Sequence, residues 1–160
     1  ALQLNTTPDE AAQYKNTYLE NMKGSRKFFN AVIKKIKADG KVRNKYGRVY
    51  RVPSEFGYKG VNYLIQGTSA DIMSERMVAV AEYLKDKKSN LLLQVHDEII
   101  CEVHKDEVDD VAPEIRRLMK ENTLNIPLEV DMEVCDPSWA VKKDFDDINK
   151  FNLEEHIDWD

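Results

Sequence analysis

Apolar positions along this chain repeat with two periods, and the changes of period mark its elements. Over residues 25–40, Phe28, Phe29, Val32, Ile33 and Ile36 fall at helical spacing, with Arg26, Lys27, Lys34, Lys35 and Lys37 on the opposite face. Gly40 predicts the end of that helix. Upstream, Thr7, Pro8 and Glu10 read as N-cap, first helical position and capping-box acid of a helix over residues 8–22. The longest helical pattern covers residues 61–86, where Ala70, Met73, Met77, Val80 and Leu84 are expected to face the core. A last helix is expected over residues 106–122, with Val108, Val111, Ala112, Ile115, Leu118 and Met119 as its apolar face. Pro113 falls inside that pattern and is expected to kink or split it.

Between these helices the period drops to two. Residues 41–53 offer two short β-rich arms around Asn44-Lys45-Tyr46-Gly47, a turn in which glycine supplies positive φ. Residues 91–95 and 99–103 are apolar runs flanking His96-Asp97-Glu98, which predicts a hairpin with buried flanks and a rigid acidic tip. Residues 126–134 alternate, placing Leu128, Val130, Met132 and Val134 on one face; this strand is expected to add to the hairpin, with Pro127 at a strand end or edge. Trp139 is expected to be a packing residue. The fold class expected is α+β: an antiparallel sheet of hairpin plus closing strand, covered by helices.

Composition narrows the class. At 160 residues, 42% hydrophobic and 33% charged, the chain is long enough for one domain with a core. No 18-residue apolar run and no signal-peptide pattern at Ala1 predict a protein that does not span a membrane. Cys101 and Cys135 lack metal-site spacing, and the expected compartment is reducing and cytoplasmic. The net charge of −5 is unevenly spread. Residues 23–51 hold eleven Lys or Arg and one acid, Asp39, whereas residues 144–160 hold seven acids and one base. That tail carries −6 of the −5 total, so the rest of the chain is +1. Clustered cations, rather than the global pI, decide phosphate binding, and the local map favours a nucleic-acid partner.

Three clusters carry candidate chemistry. Asp97 and Glu98 are hard oxygen ligands suited to Mg²⁺ or Mn²⁺, although an acidic turn also arises simply as a solvated one. Arg48 and Arg51, interleaved with Tyr46, Tyr50 and Tyr58, suit phosphates, sugars and bases, while the basic face of residues 25–40 also arises simply as a solvated amphipathic helix. Asn62, Gln66 and Ser69 form a polar stripe at i, i+4 and i+7. Amides that both donate and accept can read base edges in a minor groove, or the stripe is a capping and solvation face.

The stretch Asn62-Tyr-Leu-Ile-Gln66-Gly67-Thr68-Ser69-Ala70-Asp71 resembles the Asn-x-x-x-Gln-Gly-Thr-Ala-Ala-Asp helix of family A, bacterial DNA polymerase I-like, DNA polymerases. Gln94-Val95-His96-Asp97-Glu98 resembles that family's palm motif C, in the right order and spacing. Gly47-Arg48-x-x-x-x-Pro53 resembles its basic hairpin, and Pro127-Leu128-Glu129-Val130 with Trp139 its closing segment. The resemblance covers residues 2–143, about 1–60 on the fingers side and 61–143 on the palm side.

The resemblance implies transfer of a nucleotide from a deoxynucleoside triphosphate to a primer 3′-hydroxyl, with two Mg²⁺ ions. It implies that Asp97 is the metal-holding carboxylate and Glu98 a nearby one. His96 would approach the primer end, Asn62 and Gln66 would contact the duplex minor groove, and Arg48 would bind backbone or help hold the duplex. Arg51 and Tyr58 complete the expected DNA-binding set. Tyr58 stands where the family has an Arg, and Val49 where it often has a second one. The family's motif A, with its second metal-binding Asp, and its triphosphate-gripping fingers helix are not among these residues. The expectation is therefore a C-terminal part of a polymerase, split as in some viruses or cleaved, that needs a partner chain carrying both. If viral, it would act in the host cytoplasm. The abrupt start predicts an element before Ala1. The acidic tail, residues 144–160, is expected to be a short amphipathic helix, a frayed end, or a docking segment for a replication protein. Two rivals stand against the polymerase reading: a non-catalytic DNA-binding or scaffolding module, and a metal nuclease built on His96, Asp97 and Glu98.

Overall fold

The computed structural model describes residues 6–122, 124, 126–135 and 138–145. Its elements are α1 (Pro8–Asn21), α2 (Lys23–Asp39), β1 (Lys41–Arg43), β2 (Val49–Arg51), α3 (Lys59–Leu84), β3 (Asn90–Val95), β4 (Glu98–Glu102), α4 (Val108–Lys120), β5 (Glu133–Cys135) and β6 (Lys142–Asp144). The mixture is helices with small antiparallel sheets, as the sequence predicts. The chain divides into two compact units, Ala1–Asp71 and Ile72–Asp160. Most of the tail, residues 146–160, lies outside the described residues, as do residues 1–5.

In the first unit local chemistry sets the element ends. The Thr7 hydroxyl accepts from the Glu10 amide at 3.3 Å while Glu10 Oε2 accepts from the Thr7 amide at 3.1 Å, closing the capping box of α1. The second helix ends where Gly40 turns left-handed at φ +63°, its N–H donating to the Ile36 carbonyl at 2.8 Å. From there β1 and β2 pair antiparallel, Lys41 opposite Arg51 and Arg43 opposite Val49. Val32, Ile36, Val42, Val52 and Val61 form the core, flanked by Phe29, Tyr50 and Leu64. Gly60 allows α2 and α3 to meet closely: a β-carbon there would fall 2.0 Å from Ile36 Cδ1.

The second unit packs Val80 and Leu84 of α3 against Val111 and Ile115 of α4, with Leu91, Ile99, Cys101, Val103 and Met132 around them. The core face of α3 differs from expectation at one end. Val80 and Leu84 are buried and Met73 and Met77 half-buried, but Ala70 is exposed and Ile72 and Arg76 are buried instead. Arg76 is tolerated there because Glu121, Glu75 and the Leu118 carbonyl receive its guanidinium.

Four further expectations need correction. Of the two outcomes expected at Pro113, splitting does not occur: α4 runs unbroken from Val108 to Lys120. Pro113 lies exposed in the second turn, so its ring stays off the buried face formed by Val111, Ala112 and Ile115. The closing strand does not join the hairpin. Within that stretch Glu133–Cys135 is the strand, and it pairs with β6, Cys135 opposite Lys142, so the described residues form three two-stranded sheets. Ladder pairing is a long-range choice, and alternation up to Met132 bought a half-buried face without a ladder. The flanks of the acidic hairpin are not buried throughout: Leu92 is 55% and Leu93 45% exposed. The register shifts between Leu91 and Leu93, leaving Leu92 unpaired; this extra residue carries Leu93 to the face opposite that of Leu91. Trp139, expected to pack, is 50% exposed, with Lys142 Nζ 5.9 Å from its ring centre.

Candidate functional site

Two groups of residues hold the candidate chemistry, one in each unit. In the first unit the N-terminal half of α3 presents two opposed ridges. Gly60, Leu64, Gly67 and Asp71, at spacings of four, three and four, share the ridge turned to α2 and the basic hairpin. Asn62, Gln66 and Ser69 share the opposite ridge, and all three are exposed. The sequence placed that polar stripe correctly; it did not reveal the small-and-acidic ridge that holds it.

Tyr50 of β2 reaches over Gly67. A β-carbon at Gly67 would lie 1.9 Å from the Tyr50 hydroxyl and 2.6 Å from Cζ, so glycine is required for that approach. The Tyr50 ring stacks on Tyr63, centroids 5.7 Å apart and planes 18° from parallel. Its buried hydroxyl makes no hydrogen bond among the described residues.

Asp71 closes the same contact with charge. Its carboxylate is 8% exposed and accepts from Arg48 Nε at 2.9 Å, from Arg48 Nη2, and from Asn44 Nδ2 at 2.6 Å. Asn44, itself buried, also accepts from the Arg48 amide at 3.0 Å and so shapes the turn. The Arg48 guanidinium, and after it the Asn44 amide, holds the Asp71 carboxyl below its ordinary range; Asp71 raises Arg48 in turn. Gly47 supplies the turn's positive φ of +86°, and Arg43 Nη1 donates to the Gly47 carbonyl at 2.7 Å. Arg48 is thus bound within the fold through one edge, a commitment the sequence did not disclose. Arg51 and Tyr58 stand exposed.

In the second unit β3 and β4 pair with Val95 opposite Glu98, leaving His96 and Asp97 as a two-residue turn. His96 takes φ +54°, a conformation that short hairpin turns demand and that His tolerates better than bulkier residues. Gln94 Nε2 donates to the His96 carbonyl at 2.7 Å and braces the turn. His96, Asp97 and Glu98 are all exposed, and adjacent by construction. Glu98 Oε1 lies 3.5 Å from Lys142 Nζ, which also meets Glu133 at 2.9 Å. The base of the hairpin is anchored separately. Glu107 accepts from the Lys88 and Ser89 amides at 3.0 Å and from the Ser89 hydroxyl at 2.6 Å, and these bonds hold its carboxyl below the ordinary range.

Two adjacent carboxylates fit a hard divalent cation such as Mg²⁺, which is commonly held by one or two carboxylates plus substrate oxygens. They do not make a complete cage: no group of three His, Cys, Asp or Glu is placed to hold an ion among the described residues. No helix there is long and apolar enough to cross a membrane.

Comparison with known proteins finds DNA polymerases. The chain is 33% identical over 149 residues to DNA polymerase I of Bacillus subtilis, and 31% identical over 152 residues to that of Geobacillus stearothermophilus. Those alignments take in 85% and 87% of this chain but 17% of each relative, so the chain spans about a sixth of their length. Among solved structures, the POL domain of Pol1 from M. smegmatis, in complex with DNA primer-template and dNTP, matches with a TM-score of 0.74 at 30% identity, over 81% of this chain and 25% of that one. The family model for DNA polymerase family A matches residues 1–141, and this chain belongs to that family.

Proposed function

We propose that these residues supply the palm hairpin and part of the fingers of a template-directed DNA polymerase. The observation that carries the reading is the exposed two-residue turn His96-Asp97, with Glu98 beside it at the start of β4, in a chain of this family. Asp97 and Glu98 would hold Mg²⁺. When bound, the metal favours attack by the primer 3′-hydroxyl and neutralises charge on the departing pyrophosphate. Glu98 meets Lys142 at 3.5 Å through Oε1 alone, which leaves its second oxygen for the cation.

The other residues position nucleic acid. Asn62 and Gln66, on the exposed ridge of α3, meet the duplex minor groove, where acceptors are nearly alike for every base pair; amides there accept any sequence yet sense a displaced pair. His96 meets the primer end. Arg48, Arg51 and Tyr58 meet backbone and sugar. Nucleotide and primer-template, present in the mycobacterial complex, are the substrates proposed here.

The remaining metal carboxylate and the triphosphate-gripping helix come from polypeptide outside these 160 residues, in the same chain or in a partner. Primer extension tests this. The 160-residue chain alone, with Mg²⁺ and the four deoxynucleotides, should not extend a primer, and mixing with polypeptide that carries motif A and the fingers helix should restore extension. Extension by the isolated chain, or none from the mixture, overturns the reading. If Asp97→Ala leaves the mixture fully active, the chain is a DNA-binding scaffold instead.

A further inference from the structure

The Asp71 contact holds more than packing requires. Hairpin residues 41–51 carry five cations, Lys41, Arg43, Lys45, Arg48 and Arg51, and no acid. Into this cationic segment α3 sends a single buried carboxylate, which takes the side-on edge of Arg48, Nε and Nη2. A guanidinium has five N–H donors in two usable edges. With the side-on edge engaged, the end-on edge, one N–H each from Nη1 and Nη2, is left over. The Arg48 side chain remains 61% exposed while its partner is 8% exposed, so the leftover edge faces water. Two constraints fix its direction: the ion pair at one end, and at the other the Arg48 amide donating to Asn44, which itself donates to Asp71.

We propose that Asp71 is a positioning residue for nucleic-acid binding, holding Arg48 side-on so that its end-on edge receives a backbone phosphodiester. The inference rests on the DNA-binding reading above and adds a role for a residue that never touches the ligand. A rigid two-pronged donor loses little rotamer entropy on binding phosphate, which a freely swinging arginine would have to give up.

Simple electrostatics makes the opposite prediction for the key variant. Asp71→Asn removes a negative charge from the basic hairpin, so if charge alone mattered the variant would bind DNA more tightly. If Asp71 positions Arg48, it binds more weakly.

The experiment is fluorescence anisotropy of a labelled primer-template duplex titrated with the chain at several KCl concentrations, with circular dichroism confirming the folded state of each variant. Expected for Asp71→Asn is binding about five- to tenfold weaker, with the slope of log K against log salt retained. Arg48→Gln should lower that slope by about 0.9, the value of one phosphate contact. Adding Asp71→Asn to Arg48→Gln should change nothing further. Arg48→Lys, which keeps the charge but has no second edge, should keep the slope and lose several-fold in affinity; it serves if Arg48→Gln does not fold. Tighter binding by Asp71→Asn, an unchanged slope in Arg48→Gln, or unchanged affinity in Arg48→Lys overturns the proposal while leaving DNA binding intact. Absence of binding by the unaltered chain overturns both.

Discussion

The basic hairpin β1–β2 is held along its length, while the acidic hairpin β3–β4 is held at its base. In the first, Asn44 is buried in the turn, Arg43 staples Gly47, Arg48 is forked onto Asp71, and Tyr50 lies across Gly67. In the second, Glu107 and Ser89 anchor the end away from the turn, and the tip is braced by Gln94 on the His96 carbonyl and by a 3.5 Å contact of Glu98 with Lys142. Asp71 and Asp97 make the contrast concrete. Both are aspartates in the stretches that resemble polymerase motifs; one is buried and saturated with donors, the other exposed on a turn. A carboxylate whose hydrogen-bond capacity is filled by its own fold can position other groups but has nothing left for a ligand. An open carboxylate on a braced turn is available for a cation. The neighbours, rather than the residue type, decide which role each takes.

Stability measurements can break this comparison. The largest effect is expected at Ile36, fully buried beneath the basic hairpin: Ile36→Ala should cost about 2–5 kcal/mol in denaturant unfolding. Leu92→Ser, on the exposed face of the acidic hairpin, should stay within about 0.5 kcal/mol. Equal costs would mean that the two hairpins are supported alike.

Next in size is the Tyr50–Gly67 approach. Gly67→Ala gains roughly 1 kcal/mol of helix propensity but forces a stacked, buried ring to move, which costs about 1–3 kcal/mol. A net loss is expected in thermal melts, and a net gain would show that the contact is loose. Tyr50→Phe removes a buried hydroxyl without a hydrogen bond and should be neutral or stabilising.

A smaller effect is set by pH. Because the Asp71 carboxyl lies below its ordinary value in the fold, its contribution is fully present above that value, about 4, and is lost as pH falls through the lower, folded one. Melting temperatures should fall on acidification, and part of that fall should vanish in Asp71→Asn. An identical acid limb in both proteins contradicts the role given to Asp71. Smallest is a thiol test of how well β4 is covered. Burial pushes the Cys101 thiol up to about 11, whereas Cys135 is exposed. At pH 8 one thiol should react quickly with an aromatic disulfide reagent and the other only on unfolding; two fast thiols would mean that the inner face of β4 is open.

What could be read from the sequence was local. Thr7 with Glu10, Gly40 and Gly47 act within four residues of themselves, and the structure places each as expected. The acidic turn was legible because its polar triplet interrupts two apolar runs. Asp71 escaped notice because its partners lie 23 and 27 residues earlier, and nothing in the period of α3 announces them. The bulge at Leu92 was hidden for a related reason: one unpaired residue reverses a face without altering composition. Pairing of Glu133–Cys135 with β6 rather than with the hairpin is likewise a long-range choice.

The central claim is that Asp97 serves chemistry and contributes little to folding. It is tested by comparing the unaltered chain with Asp97→Ala in template-directed primer extension with Mg²⁺, in the presence of polypeptide carrying motif A and the fingers helix, alongside thermal melts of both. A loss of several orders of magnitude in extension is expected, with the melting temperature unchanged. Extension within about twofold of the unaltered chain, at equal folding, would contradict it.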